Sequence, residues 1–424
     1  MNPSDWSRTV AALLLAPLLV LLPLLAAAQK GPIRVGALLE LTGVLAPNGQ
    51  DALDGFQLYL DEVGGQAAGR KIELIVEDTA GKPDVGLTKA RKLIENDKVH
   101  VLTGIVSTSV ALAVSTYIRE RKVPLVISAD AGANGLTMPG KLLNPFIVRF
   151  SQSGRGPGAA AADWAYKQGW RRVAVITADY AGGLEVMGAF TRVFCLRGGQ
   201  VVQEQYAPLG TPDFGPYINN IERKVDAVVA FTPGADGLRF ARQYIEAGLK
   251  GKIPVMDIYG QQTYEPNLAQ LGDSALGMLS ALHYSSQIKT PENERFVKAF
   301  RAKHNHLPSD NGPDGYVGGR AIAEAAKLLN GNVEDGEKFI AALKQVKFAS
   351  PKGNIAIDQF GNVIQSQYIR KVEKAGADYV NTPIATYDTI DQFWPFKVDE
   401  YMKMKPYAEL KGKLTDCAKC LEKQ

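Results

Sequence analysis

Cysteine and histidine are scarce in this chain of 424 residues, which has three of the first and four of the second. An odd number of cysteines leaves at least one thiol outside any internal disulfide. The Cys417-Ala-Lys-Cys420 pair lies in a lysine-rich segment and not at the start of a helix after a strand, so we assign it no redox or metal role. The sequence leaves open a disulfide between Cys195 and this segment.

Neither sign of charge dominates, because 48 Lys and Arg residues face 44 Asp and Glu residues without a basic block. This excludes nucleic acid as an expected partner. Common enzyme signatures are missing as well: there is no G-x-S-x-G, G-x-x-x-x-G-K-[ST] or H-E-x-x-H motif, and no complete G-x-G-x-x-G follows the first predicted strand. We predict a protein that is not an enzyme and that needs no cofactor or metal.

Long apolar runs are confined to the first thirty residues. Arg8, an apolar run from Val10 to Leu25 and three alanines ending at Ala28 follow the plan of a secretory signal peptide, so we expect residues 1–28 to be cleaved off. An uncleaved membrane anchor is the alternative, although the run is shorter than the about 20 residues of a span and contains two prolines. We therefore predict a soluble protein exported to the periplasm.

The remaining chain alternates β-rich runs with amphipathic helical patterns, which is typical of βαβ units that form parallel sheets covered on both faces. The β-rich runs are Ile33 to Leu39, Ile72 to Val76, Val99 to Thr103, Val123 to Ser128, Val173 to Thr177, Val201 to Tyr206, Ala227 to Phe231 and Ile253 to Ile258.

The alternation of β-rich runs and helical patterns ends near His283. Three helical stretches follow, at residues 292–303, 315–329 and 337–346, and then a hairpin around Phe360-Gly-Asn362. The pattern predicts an α/β fold with two doubly wound units in tandem.

Several short motifs also follow one another in a definite order between Ile33 and about Lys374. They include Val35-Gly-Ala-Leu-Leu-Glu-Leu-Thr-Gly, Ile127-Ser-Ala-Asp-Ala-Gly-Ala-Asn, Asp179-Tyr-Ala-Gly-Gly and Pro208-Leu-Gly-Thr-Pro-Asp-Phe. Together they resemble the periplasmic solute-binding proteins of the leucine/isoleucine/valine-binding type, which serve ATP-driven importers. The last three segments are similar to members associated with aromatic acids.

The resemblance implies the type I periplasmic binding protein fold, in which two Rossmann-like lobes with parallel sheets are joined by three crossover segments and close on a ligand about a hinge. Lobe 1 would comprise residues 29–150 and 284–353, and lobe 2 residues 151–283 and 354–400. We expect residues 401–424 to form a tail without a fold of its own, which extends along one lobe or frays. The expected partners are a small organic acid and an ABC permease in the inner membrane, and the protein is expected to be a monomer.

Ligands of open α/β sheets bind beyond the carboxyl ends of the strands, where helix N-termini offer free N–H groups to an anion. Ser107 and Thr108 open a predicted helix after the strand ending near Thr103. The resemblance gives Thr108 the position that holds a ligand carboxylate through its hydroxyl. A helix N-cap is the alternative role for this pair.

The resemblance assigns other loops to the cleft. Asp130 could accept a hydrogen bond from a ligand hydroxyl or amine, or could instead be a helix cap or salt-bridge partner. Tyr180 and Tyr259 would present rings to the ligand, with core packing as the alternative for Tyr180. The remaining candidates are Asn48, Ala131, Gly132, Phe231, Gly234 and Gln261.

Tyr259 is the main departure from the family pattern, because amino-acid-binding members place there the carboxylate that pairs with the ligand ammonium. A buried ammonium without a counter-charge costs several kcal/mol, so this tyrosine favours an aromatic carboxylate as ligand. A branched-chain or other aliphatic amino acid is the alternative, with Asp130 as the ammonium partner. Arg149 or Arg155 could neutralise a ligand carboxylate or form a structural ion pair at the hinge. A module that reports ligand to a signalling receptor is the alternative class of protein.

Overall fold

The computed structural model describes residues 30–423. The predicted signal peptide, residues 1–28, lies outside this range. Within the described range, fifteen strands are present: β1 Ile33–Leu39, β2 Gln66–Ala67, β3 Arg70–Asp78, β4 Val101–Gly104, β5 Leu125–Ile127, β6 Ile147–Arg149, β7 Arg172–Ala178, β8 Gln200–Ala207, β9 Ala227–Phe231, β10 Val255–Ile258, β11 Leu279–Leu282, β12 Phe348–Ser350, β13 Gly353–Ile357, β14 Val363–Ala375 and β15 Asp378–Ile390.

The helices of residues 30–423 are mostly amphipathic connections between strands. They are α1 Ala46–Glu62, α2 Pro83–Arg91, α3 Thr108–Arg121, α4 Gly156–Lys167, α5 Ala181–Arg197, α6 Gly215–Asn219, α7 Ala235–Glu246, α8 Glu265–Leu271, α9 Pro291–His304, α10 Asn311–Leu328, α11 Gly336–Leu343, α12 Val398–Tyr401 and α13 Cys417–Cys420. A π-helical turn, Lys92–Asn96, extends α2, and 3₁₀ turns lie at Asn134–Thr137, Gly272–Ala275 and Tyr407–Leu410.

The strands form two sheets. The first has the order β2-β3-β1-β4-β5-β6 and is parallel apart from the short β2. The second has the order β12-β13-β14-β11-β10-β9-β7-β8, and β15 pairs with β14 in an antiparallel hairpin. The β-branched runs of the central strands are buried, as parallel strands covered by helices on both faces require. We call the first sheet with the helices packed on it the first lobe. The second sheet with its helices is the second lobe.

The chain passes between the lobes three times. It leaves the first lobe after β6, returns after β11 to form α9, α10 and α11, and leaves again toward β13 and β14. The predicted α/β fold is confirmed. The turn between β13 and β14 forms as predicted, since the Asp358 carboxylate accepts hydrogen bonds from the N–H groups of Phe360 and Asn362, both at 2.9 Å.

Helices α1 and α10 touch backbone to backbone in the first lobe. A Cβ at Gly55 would overlap the carbonyl of Gly312, and one at Gly315 would overlap the carbonyl of Ala52. Glycine therefore permits this approach, and a larger residue at either position would separate the helices. The close contact makes α1 and α10 one packing unit.

Of the two expectations for residues 401–424, extension along one lobe agrees with the described residues, which pack on the second lobe, and fraying does not. Tyr407, Leu410 and Leu414 are buried in the core of the second lobe, against α5. A disulfide joins Cys195 of α5 to Cys417, with a Cα–Cα distance of 5.4 Å. The aromatic and aliphatic residues spaced among the lysines supply the buried contacts, which the charge of the segment concealed in the sequence.

No helix in the described part of the chain combines the length and apolar character of a membrane span.

Candidate ligand-binding site

A small cavity lies between the two lobes, next to the loops that follow the strands. Eight of the predicted site residues line it: Asn48, Thr108, Asp130, Gly132, Tyr180, Phe231, Tyr259 and Gln261. The other three, Ser107, Ala131 and Gly234, are sequence neighbours of lining residues and contribute backbone or capping contacts. The structure thus brings the predicted set together, while the contact of each residue with a ligand remains a prediction. Lining residues that the sequence analysis missed are Leu45, Val106, Gly154, Gly182, Val186 and Pro233.

Three aromatic rings form the wall of the cavity in the second lobe. Tyr180 stacks on Phe231 with ring centroids 6.3 Å apart, and Phe231 meets Tyr259 in a T-shaped contact at 5.4 Å. Tyr180 precedes α5, whereas Phe231 ends β9 and Tyr259 follows β10. Because neighbouring parallel strands end at the same edge of the sheet, three positions far apart in sequence present one aromatic surface.

Tyr259 is fixed in an unusual conformation. Its φ is +73°, which a residue with a side chain adopts only when the surrounding structure enforces it. Its hydroxyl donates to the carbonyl of Ser153 at 3.1 Å. A Cβ at position 132 would lie 3.1 Å from that hydroxyl, so Gly132 provides the space that the phenol occupies. The glycine noted at position 132 is therefore a steric counterpart of the tyrosine at 259.

The N-terminus of α3 faces the opposite side of the cavity. Ser107 is the N-cap and accepts from the N–H of Val110 at 3.5 Å, which fits the capping alternative. The Thr108 hydroxyl oxygen accepts from the N–H of Gly132 at 3.2 Å, so its hydrogen is available to another acceptor. The first N–H groups of a helix have no intrahelical partner, and Thr108 begins this helix. The arrangement suits an anion.

Glu40 completes this side and was missed in the sequence. Its carboxylate accepts from the N–H groups of Val106 and Ser107 at 2.8 and 3.1 Å, and from the Thr79 hydroxyl at 3.1 Å. Burial raises the pKa of Glu40 to about 7, although these hydrogen bonds oppose the rise. Its position directly after β1 was the available signal, because that loop borders the cleft.

Asp130 is the carboxylate of the cavity wall. It accepts from the side-chain amides of Asn48 and Asn311 at 3.1 and 2.9 Å. Burial raises the pKa of Asp130, and burial together with the facing Asp130 charge raises the pKa of Asp310 well above its ordinary value. The two carboxyl groups also share a hydrogen bond, and the rise in pKa is larger for Asp310 than for Asp130. Asp130 makes no helix cap or salt bridge with any residue that the structure describes, which contradicts those alternative roles.

Behind Asp130 lies a buried charged cluster. Asp314 accepts from the Lys352 ammonium at 2.5 Å and lies 2.9 Å from Nε2 of His283. Burial alone would raise the pKa of Asp314, but the facing His283 and Lys352 outweigh it and lower the pKa. Ligand atoms of His283, Asp310 and Asp314 lie within 4.8 Å of one another, which is compatible with a metal ion, but Lys352 already supplies the counter-charge.

Asn48 and Gln261 connect the lobes across the cavity. The Asn48 amide donates to Oε1 of Gln261 at 2.9 Å, and the same oxygen accepts from the N–H of Gly234 at 3.1 Å. The N–H of Ala235 donates to the carbonyl of Val44 at 2.9 Å. These contacts join the first turn of α1 and the loop before it to the loops of the second lobe, so the cleft is closed in this structure.

The two arginines near the first crossover do not line the cavity. Arg149 donates only to neutral oxygens, those of Ala131, Ala133, Thr137 and Asn362, at 2.6 to 3.1 Å. Burial lowers its pKa to about 10. Arg155 donates to the carbonyl of Trp394 and lies 4.2 Å from the ring centroid of Tyr401. Within residues 30–423 neither arginine forms an ion pair, so the expected hinge ion pair is wrong, and their place outside the cavity wall does not favour pairing with a ligand carboxylate.

Two α/β lobes that close over a cavity lined by the ends of their strands define a ligand-binding protein of the two-lobed type. Residues 32–377 match the family model for periplasmic binding proteins, and the chain belongs to this family. It is thus a substrate-binding protein of an ABC transporter, which confirms the resemblance.

Several known proteins are similar over most of their length. The Leu/Ile/Val-binding protein homolog 6 of Brucella melitensis is 29% identical over 369 residues, which cover 85% of this chain and 93% of that protein. An ABC transporter substrate-binding protein from Sphaerobacter thermophilus is 39% identical with a TM-score of 0.79, covering 85% of this chain and 99% of that chain. A solute-binding protein of an ABC transporter from Rhodopseudomonas palustris BisB5, solved with 3,4-dihydroxybenzoic acid, is 35% identical with a TM-score of 0.81 and the same coverage.

Proposed function

We propose that this protein captures a small aromatic carboxylate, preferably one with a ring hydroxyl, in the periplasm and delivers it as a monomer to an ABC permease. The observation that carries the proposal is the cavity wall formed by Tyr180, Phe231 and Tyr259, opposite an anion-compatible helix N-terminus. A flat ring fits such a wall through stacked and edge-to-face contacts. The similar Rhodopseudomonas protein with its bound dihydroxybenzoic acid supports this ligand class.

The carboxylate end of the ligand would bind at α3. The Thr108 hydroxyl and the first N–H groups of the helix would donate to it, and the positive end of the helix dipole favours an anion. Glu40 lies close to this turn, and its raised pKa of about 7 reduces its negative charge near neutral pH. An incoming carboxylate is therefore not opposed by a fully ionised neighbour.

The hydroxyl end of the ligand would bind at Asp130. An ionised carboxylate accepts strongly from a phenol, and such charge-assisted hydrogen bonds are about twice as strong as neutral ones. Asn48 and Asn311 already donate to one oxygen of Asp130, Oδ2. The other oxygen, Oδ1, has a long contact of 3.5 Å with the Gln152 amide, and the Asp310 carboxyl also forms a hydrogen bond with Asp130. Asp130 would therefore select hydroxylated rings.

Capture would proceed by closure about the three crossovers. The contacts of Asn48 with Gln261 and of Val44 with Ala235 exist only while the lobes are together. A ligand that contacts both lobes stabilises this closed state by its differential affinity for it. The permease would then recognise the closed shape.

Isothermal titration calorimetry of refolded residues 29–424 with benzoate, 4-hydroxybenzoate and leucine tests the proposal. We expect 4-hydroxybenzoate to bind at least tenfold more tightly than benzoate, and we expect no heat from leucine. The variant Asp130→Asn should weaken 4-hydroxybenzoate much more than benzoate, because only the former uses the carboxylate. Failure of both aromatic acids to bind would refute the ligand class.

A branched-chain amino acid is the second candidate, and Asp130 is the observation that favours it. The buried Asp130 carboxyl group in the cavity wall would pair, as a carboxylate, with a ligand ammonium even though position 259 carries a tyrosine. In that case leucine binds and Asp130→Asn abolishes its binding, while benzoate produces no heat.

A further inference from the structure

A second cavity lies in the second lobe, apart from the cleft. It has a volume of about 450 Å³ and lies among α7, the loop before β10 and the residues that lead into β11. Its wall is mainly apolar and includes five half-buried side chains, Ile245, Val255, Leu276, Met278 and Leu279. Apolar side chains gathered around a concavity of this size are typical of a ligand site.

Lys250 provides a positive charge at this wall. It is half-buried, and among residues 30–423 no carboxylate lies close enough to form an ion pair with it. Partial burial lowers the pKa of Lys250, and no acidic neighbour counteracts the effect. A cation held next to an apolar surface without a partner is complementary to an anion that has an apolar body.

Gln262 adds a buried polar group. Its side chain is 1% exposed, and its amide nitrogen donates to the Thr232 hydroxyl at 3.3 Å. Its amide oxygen has no hydrogen-bond partner among the described residues. Exchanging the oxygen and nitrogen positions leaves the other atom unpaired, so one end of this amide lacks a partner in either assignment. Buried polar groups are normally paired, so an unpaired one in a cavity wall points to a bound group.

We propose that this cavity is a second binding site, which takes a carboxylate with an apolar body and pairs its charged end with Lys250. Gln262 would hydrogen-bond a polar group at the other side of the ligand. An alkyl acid and an aromatic acid share this chemistry. The proposal does not depend on which ligand occupies the cleft, because the two cavities share no lining residue.

The loop after β10 connects the two sites. Gln261 lines the cleft, and the next residue, Gln262, lines the second cavity. The Asp257 carboxylate fixes both by accepting from their N–H groups at 3.2 and 2.9 Å. Occupation of the second cavity would therefore act directly on a loop that contacts the ligand of the cleft.

Titration of the whole exported chain with decanoate and with 2-naphthoate tests the site. Lys250→Ala should weaken binding roughly fivefold, the effect of losing one partly exposed ion pair. Lys252→Ala is the matched control, since Lys252 is exposed and outside the cavity wall. Met278→Trp, which fills the cavity, should abolish binding, and circular dichroism checks that each variant is folded.

The pattern across variants decides the outcome. Thr108→Val weakens the binding of aromatic acids in the cleft, so only probe binding that persists in this variant and still responds to Lys250→Ala is assigned to the second cavity. If decanoate binds and is weakened by Lys250→Ala but not by Lys252→Ala, the ligand of the second cavity is an alkyl acid. If 2-naphthoate shows this pattern, the ligand is an aromatic acid. The proposal is overturned if neither probe binds, if Lys252→Ala weakens binding as much as Lys250→Ala, or if only Thr108→Val abolishes it. None of these results bears on benzoate binding in the cleft, so the two proposals fail separately.

Discussion

Gly234 lies where the second lobe touches the first, and a methyl group there would hold the lobes apart. A Cβ at this position would be 3.0 Å from the carbonyl carbon of Val44, 3.2 Å from Cα of Leu45, and closer still to the Val44 oxygen. All of these atoms are backbone and cannot move aside alone. We therefore expect Gly234→Ala to disfavour the closed state specifically.

The size of the effect follows from two losses. Forced overpacking costs about 1–3 kcal/mol, and losing the hydrogen bond from Ala235 to Val44 costs about 1 kcal/mol more. A closed-state penalty of ~2–4 kcal/mol weakens ligand binding by about thirtyfold or more. The variant also suffers backbone strain, since φ of Gly234 is +60°, and that strain is present in the open state as well.

Gly210→Ala separates the two effects. Gly210 has φ of +84° in the same lobe, and a Cβ there would meet no atom within 4 Å. Both variants should lose comparable stability in urea unfolding, whereas only Gly234→Ala should lose affinity for 4-hydroxybenzoate. Small-angle scattering should show a larger radius of gyration for Gly234→Ala with ligand present. Equal affinities for the two variants would refute the reasoning.

Three further perturbations follow from buried groups. Cys417→Ser should lower the free energy of unfolding by ~2–4 kcal/mol, because the disulfide closes a loop across 222 positions. As a control, a reducing agent should lower the stability of the natural protein in urea and leave that of the variant unchanged. Lys352→Met should lower the free energy of unfolding by about 3–5 kcal/mol, because it leaves Asp314 buried without its ammonium partner. Adding Asp314→Asn should restore part of this stability. A loss below about 1 kcal/mol for Lys352→Met contradicts the argument. Glu40, whose pKa rises from 4.5 unfolded to about 7 folded, binds its proton more tightly in the folded state, so its contribution to stability is full below pH 4.5 and is lost as pH rises through 7. Between pH 4.5 and 7 the contribution of Glu40 to the free energy of unfolding should thus fall by about 1.4 kcal/mol per pH unit. Glu40→Gln should remove this slope, which urea unfolding at several pH values measures. An unchanged slope contradicts the raised pKa of Glu40.

The strands and the site loops were predictable for a shared reason. Buried parallel strands need continuous β-branched runs, and β1 and β9 coincide with the runs Ile33 to Leu39 and Ala227 to Phe231. Once strands are placed, their carboxyl ends mark the ligand side of the sheet. The strand ends together with the family resemblance therefore placed Thr108, Asp130 and Tyr259 at the cavity without knowledge of the tertiary structure.

The missed features depend on long-range contacts. Asn311 and Asp310 reach Asp130 across about 180 positions of sequence, through the packing of α10 on the first sheet. Strand β15 is exposed on alternate positions and lacks the continuous apolar run of the central strands. The buried residues of the C-terminal segment, such as Tyr407, are separated by lysines and form a core only against α5. Patterns over ten to twenty residues do not encode such pairings.

The contact between α1 and α10 has a kinetic consequence. Because their backbones touch, Asn48 on α1 and Asn311 on α10 hold a constant spacing around Asp130, with the lobes together or apart. This half of the site is therefore preorganised before the ligand arrives. Changes to it would alter the association rate, whereas changes to the loops of Gly234 and Gln261 would alter the residence time of the ligand. If the proposed closure operates, the first lobe would select the ligand and the second would set how long it stays bound.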